Sequence, residues 1–175
     1  MHVLKQAGCC LALLAWSACS DPMPETASTW VPASFSVPER LDAETYRLVK
    51  LTPALAALDY EAVMETRAHL RERFGGEWPG EAFTLEENTR DLDEHERLFD
   101  ERTSFTYSVL SPDGGRVLGC IYINPADDAD AQVHLWVRES ERASGLEPRL
   151  VDALRGWLTR DWPFETVAFP LHDAE

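Results

Sequence analysis

Apolar positions change their period part-way along the chain. From Ala54 to Phe74, Leu55, Leu58, Ala62, Val63 and Leu70 fall near helical spacing, and Gly75 and Gly76 end the run. A turn-rich loop, GGEWPG, carries Trp78. Thr84 and Glu87 then form a T-x-x-E capping box. It opens a second helix to Arg102, with Leu85, Leu92 and Phe99 on one side and a charged, solvated face on the other. Beyond it the pattern turns strand-like. SFTYSVL (104–110), RVLGCIYIN (116–124) and VHLWVR (133–138) read as three strands, the first two joined by the turn SPDGG. The nearly continuous apolar stretch of the second predicts a central place in the sheet. A helix over 148–162 turns Leu150, Val151, Leu154, Trp157 and Leu158 to the core, with Pro148 in its first turn. ETVAFP (165–170) is a last strand, and TYRLVKL (45–51) is a first one ahead of the helices. This order is α/β, a mixed central sheet flanked by helices. The closing strand–helix–strand crossover makes the last two strands parallel.

The N-terminus reads differently. An apolar run from Ala7 to Trp16 follows the single cation Lys5. It is shorter than the roughly 20 residues a spanning helix needs and has the length of a signal-peptide core. Ser17 and Ala18 then stand before Cys19, which resembles the bacterial lipobox. The expected plan is a signal peptide over 1–18, a lipid-anchored proline-rich linker over 19–40, and a folded domain over 41–175. Pro22, Pro24, Pro32 and Pro38 make that linker extended. Cys19 is the expected lipidation site and membrane anchor. The location that follows is the bacterial cell envelope, on the periplasmic face. Plain secretion, and a cytoplasmic protein with a non-functional signal, are the alternatives. Cys9 and Cys10 leave with the signal, so Cys120 has no partner and reads as a small buried hydrophobe.

Charge narrows the function. The chain carries 31 Asp and Glu against 16 Lys and Arg, a formal net charge of −15. Such a field repels nucleic acid and attracts cationic amines. An anionic cofactor therefore needs a local positive or dipolar pocket. His95, among carboxylates, reads as a surface histidine, and no metal site is expected.

WVRESERASGLEP (136–148) runs from a strand through a glycine loop into a helix. With the element order above, and with LGCIYI, LWVR and WPFETVAFP, it resembles the GNAT superfamily of N-acetyltransferases over roughly Leu41 to Pro170. That family's cofactor motif reads Gln/Arg-x-x-Gly-x-Gly/Ala. Here it corresponds to Arg142, Ala143, Ser144, Gly145, Leu146 and Glu147, with Glu147 departing from the pattern. The resemblance implies a gap between the last two parallel strands that takes the pantetheine arm of acetyl-CoA or another acyl-CoA. It also implies a cradle for the pyrophosphate at the following helix start, where backbone amides lack intrahelical partners. Cofactor contacts are then expected from Val137, Arg138 and residues 142–147. Glu147 brings the wrong charge, and Pro148 removes an amide donor. His134 and Tyr122 are the candidate catalytic side chains. The family's later helix and last two strands have no counterpart before Glu175, a shortened C-terminus. Three functions stay open: an acyl-CoA-dependent N-acyltransferase acting on an amine, a catalytically silent module binding a small ligand or protein partner, and a structural envelope lipoprotein.

Overall fold

The computed structural model describes residues 30–173. The expected signal peptide and Cys19 lie outside these residues. Six strands form one sheet in chain order: β1 (Arg40–Asp42), β2 (Arg47–Lys50), β3 (Phe105–Leu110), β4 (Val117–Asn124), β5 (Ala131–Val137) and β6 (Val167–Ala168). All neighbours are antiparallel except β5 and β6, which are parallel as the crossover requires. Helices α1 (Ala56–Phe74) and α2 (Leu85–Asp100) cover one face, and α3 (Leu146–Asp161) covers the other.

Strand alternation sorts the core into two layers. Phe105, Tyr107, Val109, Ile121, Ile123, Val133, Leu135 and Val137 meet Leu150, Leu154, Trp157 and Leu158 of α3. Leu110, Val117, Cys120 and Trp136 meet Ala62, Val63 and Leu70 of α1 and Leu92 of α2. Alternation slips once. Val109 pairs with Gly119 and Leu110 with Val117, so Leu118 is an extra residue and β4 carries a bulge. Beside it the backbones close up: a Cβ on Gly119 would lie 2.2 Å from the Trp136 carbonyl oxygen.

The capping box forms: Glu87 N–H donates to Thr84 Oγ1 (3.2 Å) and Thr84 N–H to Glu87 Oε2 (2.8 Å). Three expectations need correction. The folded region begins before Leu41. Val31 is fully buried, and Trp30 stacks on Phe105 and Phe164 at 5.4 and 5.1 Å. Phe35 and Val37 pack on the same core, in a strap that turns once, where Phe35 N–H donates to Pro32 O at 2.9 Å. Leu85 is exposed, and the buried stripe of α2 is Asn88, Leu92 and Phe99. Helix α3 starts at Leu146, two residues ahead of Pro148, with Gly145 in the left-handed conformation (φ 73°) as its N-cap.

Candidate functional site

The splay between β5 and β6 is the first element of the site. β6 pairs only with Ala131 and Gln132. Ala131 N–H points to β6, bonding Thr166 O, whereas Arg138 N–H points to β4, bonding Leu118 O. Alternation then turns the backbone of Leu135 and Val137 to the β6 side, where no strand runs beside them.

The loop that follows is a 3₁₀ turn over Glu139–Ser144. It is held by α1. Glu65 accepts from Arg138 Nε (2.5 Å), Ser140 N (3.1 Å) and Ser140 Oγ (2.5 Å), and Glu139 N–H donates to Thr66 Oγ1 at 3.0 Å. These bonds, that to Ser140 foremost, draw the Glu65 carboxyl down to about 2. Arg138 is thus a structural tie. Arg142 spends its charge locally on Glu139 at 3.2 Å. Ser144 Oγ accepts from Leu146 N–H (3.2 Å), and Arg149 Nη1 folds back to Ser144 O (3.1 Å). Ala143 is exposed in the turn and Leu146 is buried in the core beneath α3.

Glu147 is the second residue of α3 and is only 20% exposed. Its Oε1 meets Arg73 Nη2 of α1 at 2.7 Å and His172 Nε2 of the C-terminal segment at 2.9 Å. That segment folds tightly: His172 and Asp173 N–H both donate to Phe169 O, Phe169 N–H donates to Asp173 Oδ2, and Asp173 pairs with Arg155. One carboxylate therefore joins the end of α1, the start of α3 and the chain beyond β6. Arg73 Nε and the Nδ1 atoms of His69, His134 and His172 are buried there without protein partners among the described residues. Burial first, and then cations including Arg73, lowers the pKa of His69 and His134, which favours their neutral rings.

Tyr122 and His134 face each other across β4 and β5. Both line an apolar groove of about 290 Å³ with Phe74, Trp78 and Asn124. The Tyr122 hydroxyl accepts from Trp136 Nε1 (3.1 Å), and burial pushes its pKa up, so it stays protonated. A second cavity of about 280 Å³ shares Trp78 and Tyr122 and runs under α1 and α2. It exposes residues that sequence reasoning passed over. Asp59, 4% exposed, accepts from Asn88 Nδ2 at 3.0 Å, and burial raises its pKa to about 6. His95 is no surface histidine: it turns inward, its Nδ1 lies 3.1 Å from Thr106 Oγ1, and burial lowers its pKa. Among the described residues, no three His, Cys, Asp or Glu side chains are disposed to hold a metal ion.

No family model and no curated protein matches the sequence. Solved structures do match the fold. The ribosomal-protein-S5-alanine acetyltransferase of Vibrio fischeri is 16% identical, over 69% of this chain and 67% of its own, with a TM-score of 0.55. RimL, a ribosomal L7/L12 α-N-protein acetyltransferase solved with coenzyme A, is 19% identical over 67% and 66%, TM-score 0.57. The microcin C7 self-immunity acetyltransferase MccE, solved with acetyl-CoA and AMP, is 9% identical over 66% and 63%, TM-score 0.55. The chain spans about two thirds of the length of these structures. In its mixed sheet, its parallel β5–β6 crossover and its flanking helices, this chain has the fold of the GNAT acetyltransferases.

Proposed function

We propose that this is an acyl-CoA-dependent N-acyltransferase homologue whose acyl-CoA position is closed by its own residues. The observation that carries the reading is the Glu147–Arg73–His172 contact at the start of α3. The strand edge at Leu135 and Val137, and the left-handed Gly145, fit a pantetheine arm and a close backbone approach. The helix start does not fit a pyrophosphate. Leu146 N–H is spent on Ser144, Pro148 has no N–H, and a carboxylate takes up the cation that a phosphate would need. Acyl-CoA therefore binds weakly, and any transfer to an amine is slow. In this reading His134, on β5 and biased to its neutral form, accepts a proton from an amine. Isothermal titration with acetyl-CoA tests this. Glu147→Ala frees Arg73 and removes a negative charge, so it tightens binding. An unchanged or weaker affinity contradicts the closure.

A second reading is a catalytically silent module, lipid-anchored through Cys19 in the cell envelope and binding a small ligand or protein partner. Closure of the cradle favours it as well. Acetyl-CoA binding by Glu147→Ala with no acetyl transfer to any amine selects it.

A further inference from the structure

Asp59 presents an electrostatic problem that the fold leaves open. It sits on the sheet-facing side of α1 between Ala56 and Val63, 4% exposed. One oxygen accepts from Asn88, while Oδ1 has no hydrogen-bond partner among the described residues. No Lys, Arg or His pairs with it among those residues. The charged groups that share its cavity are Asp91 and Glu94 of α2, and both are acidic. His95 of the same helix is biased to the neutral ring, and Tyr122 and Cys120 of β4 hold their protons. A buried carboxylate in these surroundings is costly unless a cation joins it.

The remaining lining says what kind of cation. Trp78 and Tyr122 put aromatic rings in the wall, and such rings attract ammonium groups through their quadrupole. Leu51, Val63 and Leu92 supply apolar wall, which suits an alkyl stem and not a hydrated inorganic ion. Among the described residues, no three carboxylate or imidazole groups converge as metal ligands. The adjoining groove of Phe74, Trp78, Asn124 and His134 extends the apolar path out to the surface.

We propose that the cavity between α1, α2 and β4 is a binding site for a small organic cation, an alkylammonium whose charged head sits on Asp59 and whose stem leaves past Trp78. The site is distinct from the acyl-CoA position. Asp59 lies over β4, with β5 standing between it and the gap, so its bound head group is not the nitrogen offered at that gap. The site holds whether or not the domain transfers an acyl group.

The probe is n-butylammonium chloride, with n-butanol as the uncharged control, titrated into the full-length protein and followed by ligand-observed NMR. Butylammonium is expected to bind at least tenfold more tightly than butanol. Asp59→Asn, which keeps the shape and the Asn88 contact, is expected to abolish that difference. Trp78→Ala is expected to weaken butylammonium several-fold. Binding is expected to strengthen as pH rises from 5 to 7, because Asp59 ionises near 6. Equal binding of butanol and butylammonium overturns the proposal, as does an unchanged butylammonium affinity in folded Asp59→Asn.

Discussion

Asp59→Asn also makes a stability prediction that needs no ligand. In the unfolded chain Asp59 ionises near its ordinary value of 3.8, and in the folded protein near 6, chiefly because burial penalises the charge. Between those values the folded state holds the extra proton. Stability contributed through this group is therefore greatest below pH 3.8, falls as pH rises through the interval, and levels off above about pH 6. At roughly 1.4 kcal/mol per pH unit of separation, the ionised carboxylate costs the fold about 3 kcal/mol at pH 7.5. Asparagine keeps the acceptor for Asn88 and carries no charge. Urea denaturation of both proteins from pH 4.5 to 7.5 reads the difference. The half-buried histidines His69, His95 and His134 have lowered pKa values, so the stability they contribute is lost as pH falls toward 6.5 and below. That slope is common to both proteins and cancels. The variant is expected to match the native protein near pH 4.5 to within about 1 kcal/mol and to exceed it by about 3 kcal/mol at pH 7.5. A difference that does not change with pH, or a variant less stable at pH 7.5, refutes the reasoning.

Gly119→Ala places a Cβ 2.2 Å from the Trp136 carbonyl oxygen and 3.1 Å from Val137 Cα. Neither backbone can give way without parting β4 from β5, so a loss of about 3 kcal/mol is expected. A Tm within a degree or two of the native value contradicts it. Trp30→Ala removes two aromatic contacts and the indole N–H bond to Asp130 O, at a cost of about 2–3 kcal/mol. Full stability in that variant shows that the strap over residues 30–37 is not part of the fold. Cys19→Ala is expected to move the protein from the detergent phase to the aqueous phase in a phase-partition assay. An unchanged partition rules out the lipid anchor.

Much of the fold was legible because local signals and the global pattern agree. The helix-to-strand change of period, the Thr84–Glu87 box and the parallel β5–β6 crossover all appear where the sequence places them. The strap was hidden by its prolines, although Trp30, Val31, Phe35 and Val37 are anchors that a solvated tether does not need. Asp59 was legible in principle. Ala56, Asp59, Val63, Thr66 and Leu70 share the buried stripe of α1, and a carboxylate in such a stripe calls for a reason. The closure of Glu147 was not legible. Its partners, Arg73 and His172, stand 99 residues apart in the chain, and only the tertiary fold joins them. The departure of Glu147 from the family motif was visible, but not the side chains that neutralise it.

The central claim is that Glu147, Arg73 and His172 close the position an acyl-CoA would take. Backbone amide NMR of the native protein and of Glu147→Ala, each titrated with acetyl-CoA, tests it most directly. In the variant, shifts are expected at Leu135, Val137, Gly145 and residue 147, along the free edge of β5 and the start of α3, and they are expected to be small or absent in the native protein at the same concentration. Equal, saturable shifts at those amides in the native protein, or shifts in the variant confined to other surfaces, contradict it.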